Sequence, residues 1–127
     1  MKKILLFHIQ KDKQIQLERL CRELKLQIRQ IPIRDYAQKL GYLAGISGFP
    51  REKKVYEGKE FPDEMLIFSG MNSDSIDAFL EKYKEYHIAP VELKAIITQY
   101  NIAWTADALY QELLKEHNSY HPVKAGR

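Results

Sequence analysis

The residues with the most chemistry stand in "TQYNIAW", where Thr98, Asn101 and the only tryptophan, Trp104, recur at intervals of three. An apolar strand pattern precedes them and a helical pattern follows. A hydroxyl, a carboxamide and an indole at that spacing suit two tasks. In the first they build a strand-to-helix corner. Thr105 caps the helix, Trp104 and Leu109 then stand at N′ and N4 as a buried hydrophobic staple, and Asn101 bonds its own turn. In the second they bind a ligand with Ser69, Gly70 and Ser73, which close the preceding strand and open the next helix. A helix N-terminus with small residues, near Lys2 and Lys3, fits a small anionic ligand. The corner is the first reading and the ligand site the second, and Asn72 or Ser73 as a plain N-cap competes with the latter.

Other reactive side chains fall into structural patterns. His117 and His121 are spaced i, i+4 but lack a third ligand, so no metal site is expected. His8 ends the first strand pattern, where Arg34 and Asp35 are expected to orient it, although a polar strand end is the plainer reading. Cys21 lies within an apolar helical stripe and reads as buried and inert. Asp74 and Asp77 suit the dipole of a helix start better than acid–base catalysis. Gly41, Gly45 and Gly48 match neither a P-loop nor GxGxxG. No catalytic residue and no cofactor emerge.

The elements that would position these groups come in two similar sets. "ILLF" (4–7) and "MLIF" (65–68) are continuous apolar runs, as of central strands. Each precedes a helical stripe: Leu17, Leu20, Cys21 and Leu24 in the first, Ile76, Phe79, Leu80 and Tyr83 in the second. "LQIRQIPI" (26–33) carries Pro32 and reads as an edge strand. "VELKAIIT" (91–98) alternates, with Val91, Leu93, Ala95 and Ile97 on one face. "KKILLF" matches "DEMLIF" at an offset of 61 residues. Two strand–helix–strand units in tandem predict a ferredoxin-like α+β sandwich, sheet order 4-1-3-2, with strand 3 between strands 1 and 2. Residues 34–62 form a long insertion, with a short helix over Tyr36, Leu40 and Leu43 and an irregular, weakly protected loop from 45 onward. A last helix carries Leu109, Tyr110, Leu113 and Leu114. A single domain over 1–118 is expected, with 119–127 a disordered tail.

The 127 residues carry a net charge of +3, with nine Lys or Arg against three Asp or Glu in residues 1–34. Such a basic third could attract nucleic acid, but no aromatic residues interleave with it, so a solvated surface is the simpler reading. One cysteine and no apolar run long enough to cross a bilayer suit the cytoplasm and exclude a membrane span. The alternating strand at 91–98 and the stripe of the last helix predict a homodimer burying one or both.

"MLIFSGMNSDSIDAFLEKY", "PVELKAIITQYNIAW" and "LYQELLKEH" together resemble the bacterial proteins grouped as domain of unknown function 3783. The likeness rests on Ser69–Gly70 after a strand and on Thr98, Asn101 and Trp104 before a helix. It covers the second half of the chain, and "RDYAQKLGYLAG" extends it upstream. The resemblance implies a small cytoplasmic bacterial protein and brings no activity with it. The chain reads as a non-enzymatic binding or regulatory module. A nucleic-acid binder using the basic third is the first alternative, and a small enzyme with a site near Thr98 and Asn101 the second.

Overall fold

Continuous apolar strands need cover on both faces. β1 (Lys3–Phe7) and β3 (Met65–Ser69) receive it in the middle of a four-stranded sheet ordered β2-β1-β3-β4, with β2 at Gln27–Gln30 and β4 at Leu93–Ile96. The structure, a computed structural model, describes residues 1–120, the side chains of 119 and 120 excepted. β1 and β3 are antiparallel, while β2 runs parallel to β1 and β4 parallel to β3. Ile4, Leu6, Leu66 and Phe68 face α1 (Lys11–Glu23) and α3 (Ser73–Glu85). Leu5, Phe7, Met65 and Ile67 face a 3-10 helix (Ile33–Ala37), α2 (Leu40–Leu43) and α4 (Ala106–Tyr120). Of the tail expected at 119–127, residues 119 and 120 belong to α4 and the rest lie outside the described residues.

The architecture is α+β, but the ferredoxin-like order 4-1-3-2 is not the one adopted. That order requires β2 to turn directly into a neighbouring β3. Here residues 31–64 separate the two strands and cross one face of the sheet, burying Ile31, Tyr36, Leu40, Leu43 and Phe61 on the way. β2 therefore pairs with β1 as an unsplit strand–helix–strand unit, and nothing stands between them. The two central strands and the two edges are where the apolar pattern placed them. Val91 is a further correction. The chain bends at Glu92, so Val91 packs with the α1–α3 core while Leu93 enters the other.

β1 and β3 begin 62 residues apart, as do α1 and α3, so the expected offset of 61 is one residue short. Leu5 pairs with Ile67, its own counterpart, which puts a pseudo-two-fold axis between them. The repeat extends to the helix ends. Lys25 (φ 59°) and His87 (φ 54°) are left-handed residues just past α1 and α3. Leu26 N–H donates to Cys21 O and Ile88 N–H to Tyr83 O, the 6→1 bond of a Schellman end with a buried residue behind it.

The long connection is anchored at several points, while residues 53–55 and 57–59 between them are exposed. Phe61 lies between two rings, 4.2 Å from that of Tyr36 and 3.9 Å from that of Tyr110 by centroid. Fully buried Gln38 accepts from Glu52 N–H (2.9 Å) and donates to the carbonyls of Glu52 and Lys54. Buried Asp35 binds Arg51 at 2.8 Å.

Phe61→Ala removes the middle ring and should destabilise by about 3–5 kcal/mol, read as a lower denaturant midpoint. A loss under about 1 kcal/mol would assign the anchoring to Gln38 and Asp35 alone. Burial, with a hydrogen bond to Asp63, raises the Tyr110 hydroxyl from 10.0 to about 12, and burial with a bond to Glu60 pushes Tyr36 up as well. Folding thus favours the protonated phenols. Their contribution is complete below the unfolded value of 10.0 and is lost as pH rises towards about 12. The melting temperature should hold to pH 10 and fall above it, and Tyr110→Phe should flatten that fall.

Candidate functional site

Thr98 ends β4 and its turn closes on itself. Thr98 Oγ1 accepts from the N–H groups of Tyr100 (3.1 Å) and Asn101 (3.3 Å). The Asn101 carboxamide accepts from Thr98 N–H at 2.9 Å and donates to Ile96 O at 3.1 Å. Ile97 N–H points inward, to Phe68 O. Strand alternation therefore aims Ile96 O and Thr98 N–H outward, along the open edge of β4. Asn101 lays its amide where a neighbouring strand would lay a peptide group, and so closes the end of that edge.

The corner then anchors α2. Trp104 O and Ile102 O accept from the free N–H groups of Leu40 (2.8 Å) and Gly41 (2.9 Å). Lys3 Nζ (2.6 Å) and Arg29 Nη1 (2.8 Å) donate to Ala44 O and Leu43 O at its other end. Thr105 caps α4 as expected, accepting from Ala108 N–H at 3.1 Å, and Leu109 is buried. Trp104 departs from expectation, since its side chain is 39% exposed. The main chain pins this corner, so the indole does not have to.

Ser69, Gly70 and Ser73 share this end of the sheet with Thr98 but make no common pocket with it. Ser69 is buried at the end of β3, opposite Lys3. Gly70 has φ 70°, and a Cβ there would stand 2.4 Å from Met1 O, so only glycine fits. Asn72 caps α3 through a capping box with Ser75, which leaves Ser73 as an exposed first helical residue. Lys3, committed to Ala44 O, is withdrawn from the α3 face.

The remaining candidates resolve simply. The neighbour of His8 is Glu60, while Asp35 pairs with Arg51. His121 lies outside the described residues. Burial, reinforced by Glu18, raises the Cys21 thiol to about 12, which keeps it protonated and unreactive. Of the nine basic residues in the first third, Lys13 is buried on Glu64, Lys3 and Arg29 hold α2, and Arg19 lies over the Tyr86 ring, while Lys2, Lys11, Arg22, Lys25 and Arg34 are exposed.

A depression missing from the residue pattern runs beside the outer half of α3. Its volume is about 480 Å³, and Phe79, Leu80, Tyr83, Pro90, Val91 and Lys94 line it. The α1–α3 layer leaves β4 uncovered on that face, where Ile96 is 44% and Leu80 38% exposed. Leu80 reads as core from its stripe. It is open because the sheet beneath that flank of α3 has no further helix on it.

Residues 64–120, from just before β3 to the end of α4, match the model of a family described as Domain of unknown function (DUF3783). Over this stretch, 57 of the 127 residues, the chain is similar to DUF3783. The match starts too late to include "RDYAQKLGYLAG", and it leaves out β1, α1 and β2, the other half of the pseudo-symmetric sheet. No curated protein and no solved structure matches the chain. Among the described residues no helix is long and apolar enough to cross a membrane. The Thr98–Asn101 turn within the matched segment is thus a strand terminator.

Asn101→Ala should cost about 1–3 kcal/mol through the two outward groups it frees, and should raise sedimenting material at high concentration by reopening the β4 edge. Trp104→Ala should cost no more than about 1–2 kcal/mol, below the range for a buried ring. A larger loss for Trp104 than for Asn101 in the same denaturation series would return the anchoring role to the indole.

Proposed function

We propose that this chain is a non-enzymatic binding module of the cytoplasm that works as a homodimer, joined through the depression beside α3. The reading is carried by one observation: an apolar groove flanked by self-complementary charge. Asp77, Leu80, Glu81 and Lys84 are all exposed and lie on one stripe of α3 at i, i+3, i+4 and i+7. Two such helices packed antiparallel about Leu80 set Asp77 of each copy against Lys84 of the other. Leu80 of each copy then reaches the groove formed by Tyr83, Pro90 and Val91 of its partner.

The earlier routes to a dimer have less support. α4 covers its own sheet through Ala106, Leu109 and Tyr110, and Asn101 blunts the β4 edge. A nucleic-acid role has less to draw on, since Lys3, Lys13 and Arg29 are engaged within the chain, which leaves the exposed Lys2, Lys11, Arg19, Arg22, Lys25 and Arg34 for a polyanion. A catalytic role near Thr98 and Asn101 draws no support, since both side chains serve the local backbone. The single buried Cys21 fits a reducing compartment.

Light scattering at micromolar concentration should give twice the chain mass of 15.0 kDa. Lys84→Asp should return the monomer by setting two acidic pairs together, and adding Asp77→Lys should restore the dimer. A wild-type monomer, or a double variant no better than Lys84→Asp, sinks the proposal.

A further inference from the structure

The chain has a second sheet end, opposite the Thr98 corner, where β1 and β2 finish side by side. β1 continues through His8 to α1 on one face, whereas β2 continues through Pro32 to the 3-10 helix on the other. When adjacent parallel strands send their chains to opposite faces, a crevice opens outside their C-terminal ends, and such crevices are where open sheets bind ligands. The crevice here has a volume of about 240 Å³. Its polar lining is His8, Gln14, Gln30 and Glu60, and Ile9 and Ile31 are among its apolar walls.

His8 is held in a costly conformation. Its φ is 61°, in the left-handed region that an L-residue seldom adopts. Lys25 and His87 share that region for an evident reason, because each follows a helix in a Schellman end. His8 follows a strand. Its counterpart 62 residues on is Gly70, with φ 70°, so the same bend in the other half uses the residue that adopts it freely. Here a histidine stands where the other half has a glycine, and its side chain is 41% exposed in the crevice.

Among the groups around it one carboxylate is fixed and no cation is present. Glu60 Oε1 accepts from Tyr36 O–H at 2.7 Å and from Phe61 N–H at 2.8 Å, so its carboxylate is locked against the aromatic stack. Glu60 Oε2 stands 3.4 Å from His8 Nδ1, which assigns the proton of a neutral imidazole to Nδ1 and leaves Nε2 as an acceptor. Gln14 Nε2 donates to Ile9 O and Gln30 Nε2 to Glu18 Oε2, so each side chain retains its carbonyl oxygen and one N–H. No lysine or arginine lines the crevice. It offers acceptors, two spare amide N–H groups, one negative charge and apolar walls.

We propose that this crevice binds a small amine, its ammonium group donating to His8, Gln14 and Gln30 beside Glu60 and its apolar body lying against Ile9 and Ile31. The site is independent of the dimer contact on α3. The test compares benzylamine with benzoate, one ring with opposite charge, by amide and side-chain NMR of the full chain. Benzylamine should give saturable shifts at His8, Gln14 and Gln30 and bind at least tenfold more tightly than benzoate. Glu60→Gln retains an oxygen for Tyr36 and Phe61 but removes the charge, and should weaken benzylamine at least tenfold. His8→Gly should raise the melting temperature, by relieving the bend, and abolish the shifts. Equal binding of benzoate, shifts centred elsewhere, or unchanged benzylamine binding by a well-folded His8→Gly would each overturn the assignment.

Discussion

Everything in this molecule is built around one strand pair. β1 and β3 are buried on both faces, and Leu5 lies against Ile67 at the centre of their ladder. Neither strand can be stable until both of its faces are covered, so the chain must supply two layers from few residues. It supplies the first by repetition, since α1 and α3 are related by the axis that relates β1 and β3. The second cannot be made that way. One part of it is the connection from β2 to β3, drawn across the sheet and fixed by Phe61 between Tyr36 and Tyr110. The other part is α4, delivered by the Thr98–Thr105 corner.

That division explains where the surface is incomplete. Two helices in the symmetric layer cover the strand pair and reach β2, but not the outer face of β4. Leu80 and Ile96 are left partly exposed by geometry, not by any local weakness of α3. The opposite layer covers β4 with α4, and its exposed apolar residues, Ile33, Val55 and Trp104, lie on the outer side of the connection and the corner. The apolar patch beside α3 is what a dimer through α3 would use.

Most elements were legible in the residues, and their arrangement was not. Unbroken apolar runs identified β1 and β3 as central, the stripes located α1 and α3, and Pro32 marked the edge at a position whose missing N–H points away from β1. Periodicity reports how much of a segment is buried. It does not report which strand lies beside it, so both a split and an unsplit pair of units satisfy the same pattern. The length of residues 31–64 was the signal for the unsplit form, since a connection so long is no hairpin. Phe61 was invisible because a lone aromatic in a polar loop has no period. Trp104 misled for the converse reason: the carbonyls of that corner do the anchoring, and main-chain bonds leave no mark on side-chain pattern.

The candidate site shows the same logic at closer range. Small and polar residues after β3 pointed to one end of the sheet, and the pseudo-two-fold makes that end the image of another. At the β3–β4 end Gly70 lets Met1 close in, while Asn101 consumes the outward groups of β4, so the crevice is sealed by the chain's own atoms. At the β1–β2 end the equivalent of Gly70 is His8, no carboxamide closes the edge, and a locked carboxylate stands beside the imidazole. A duplicated unit provides two crevices of similar shape, and only one of them needs to be filled for stability. The other is free to keep a strained histidine, and its strain is tolerated because the central strand pair and the aromatic stack already secure the fold.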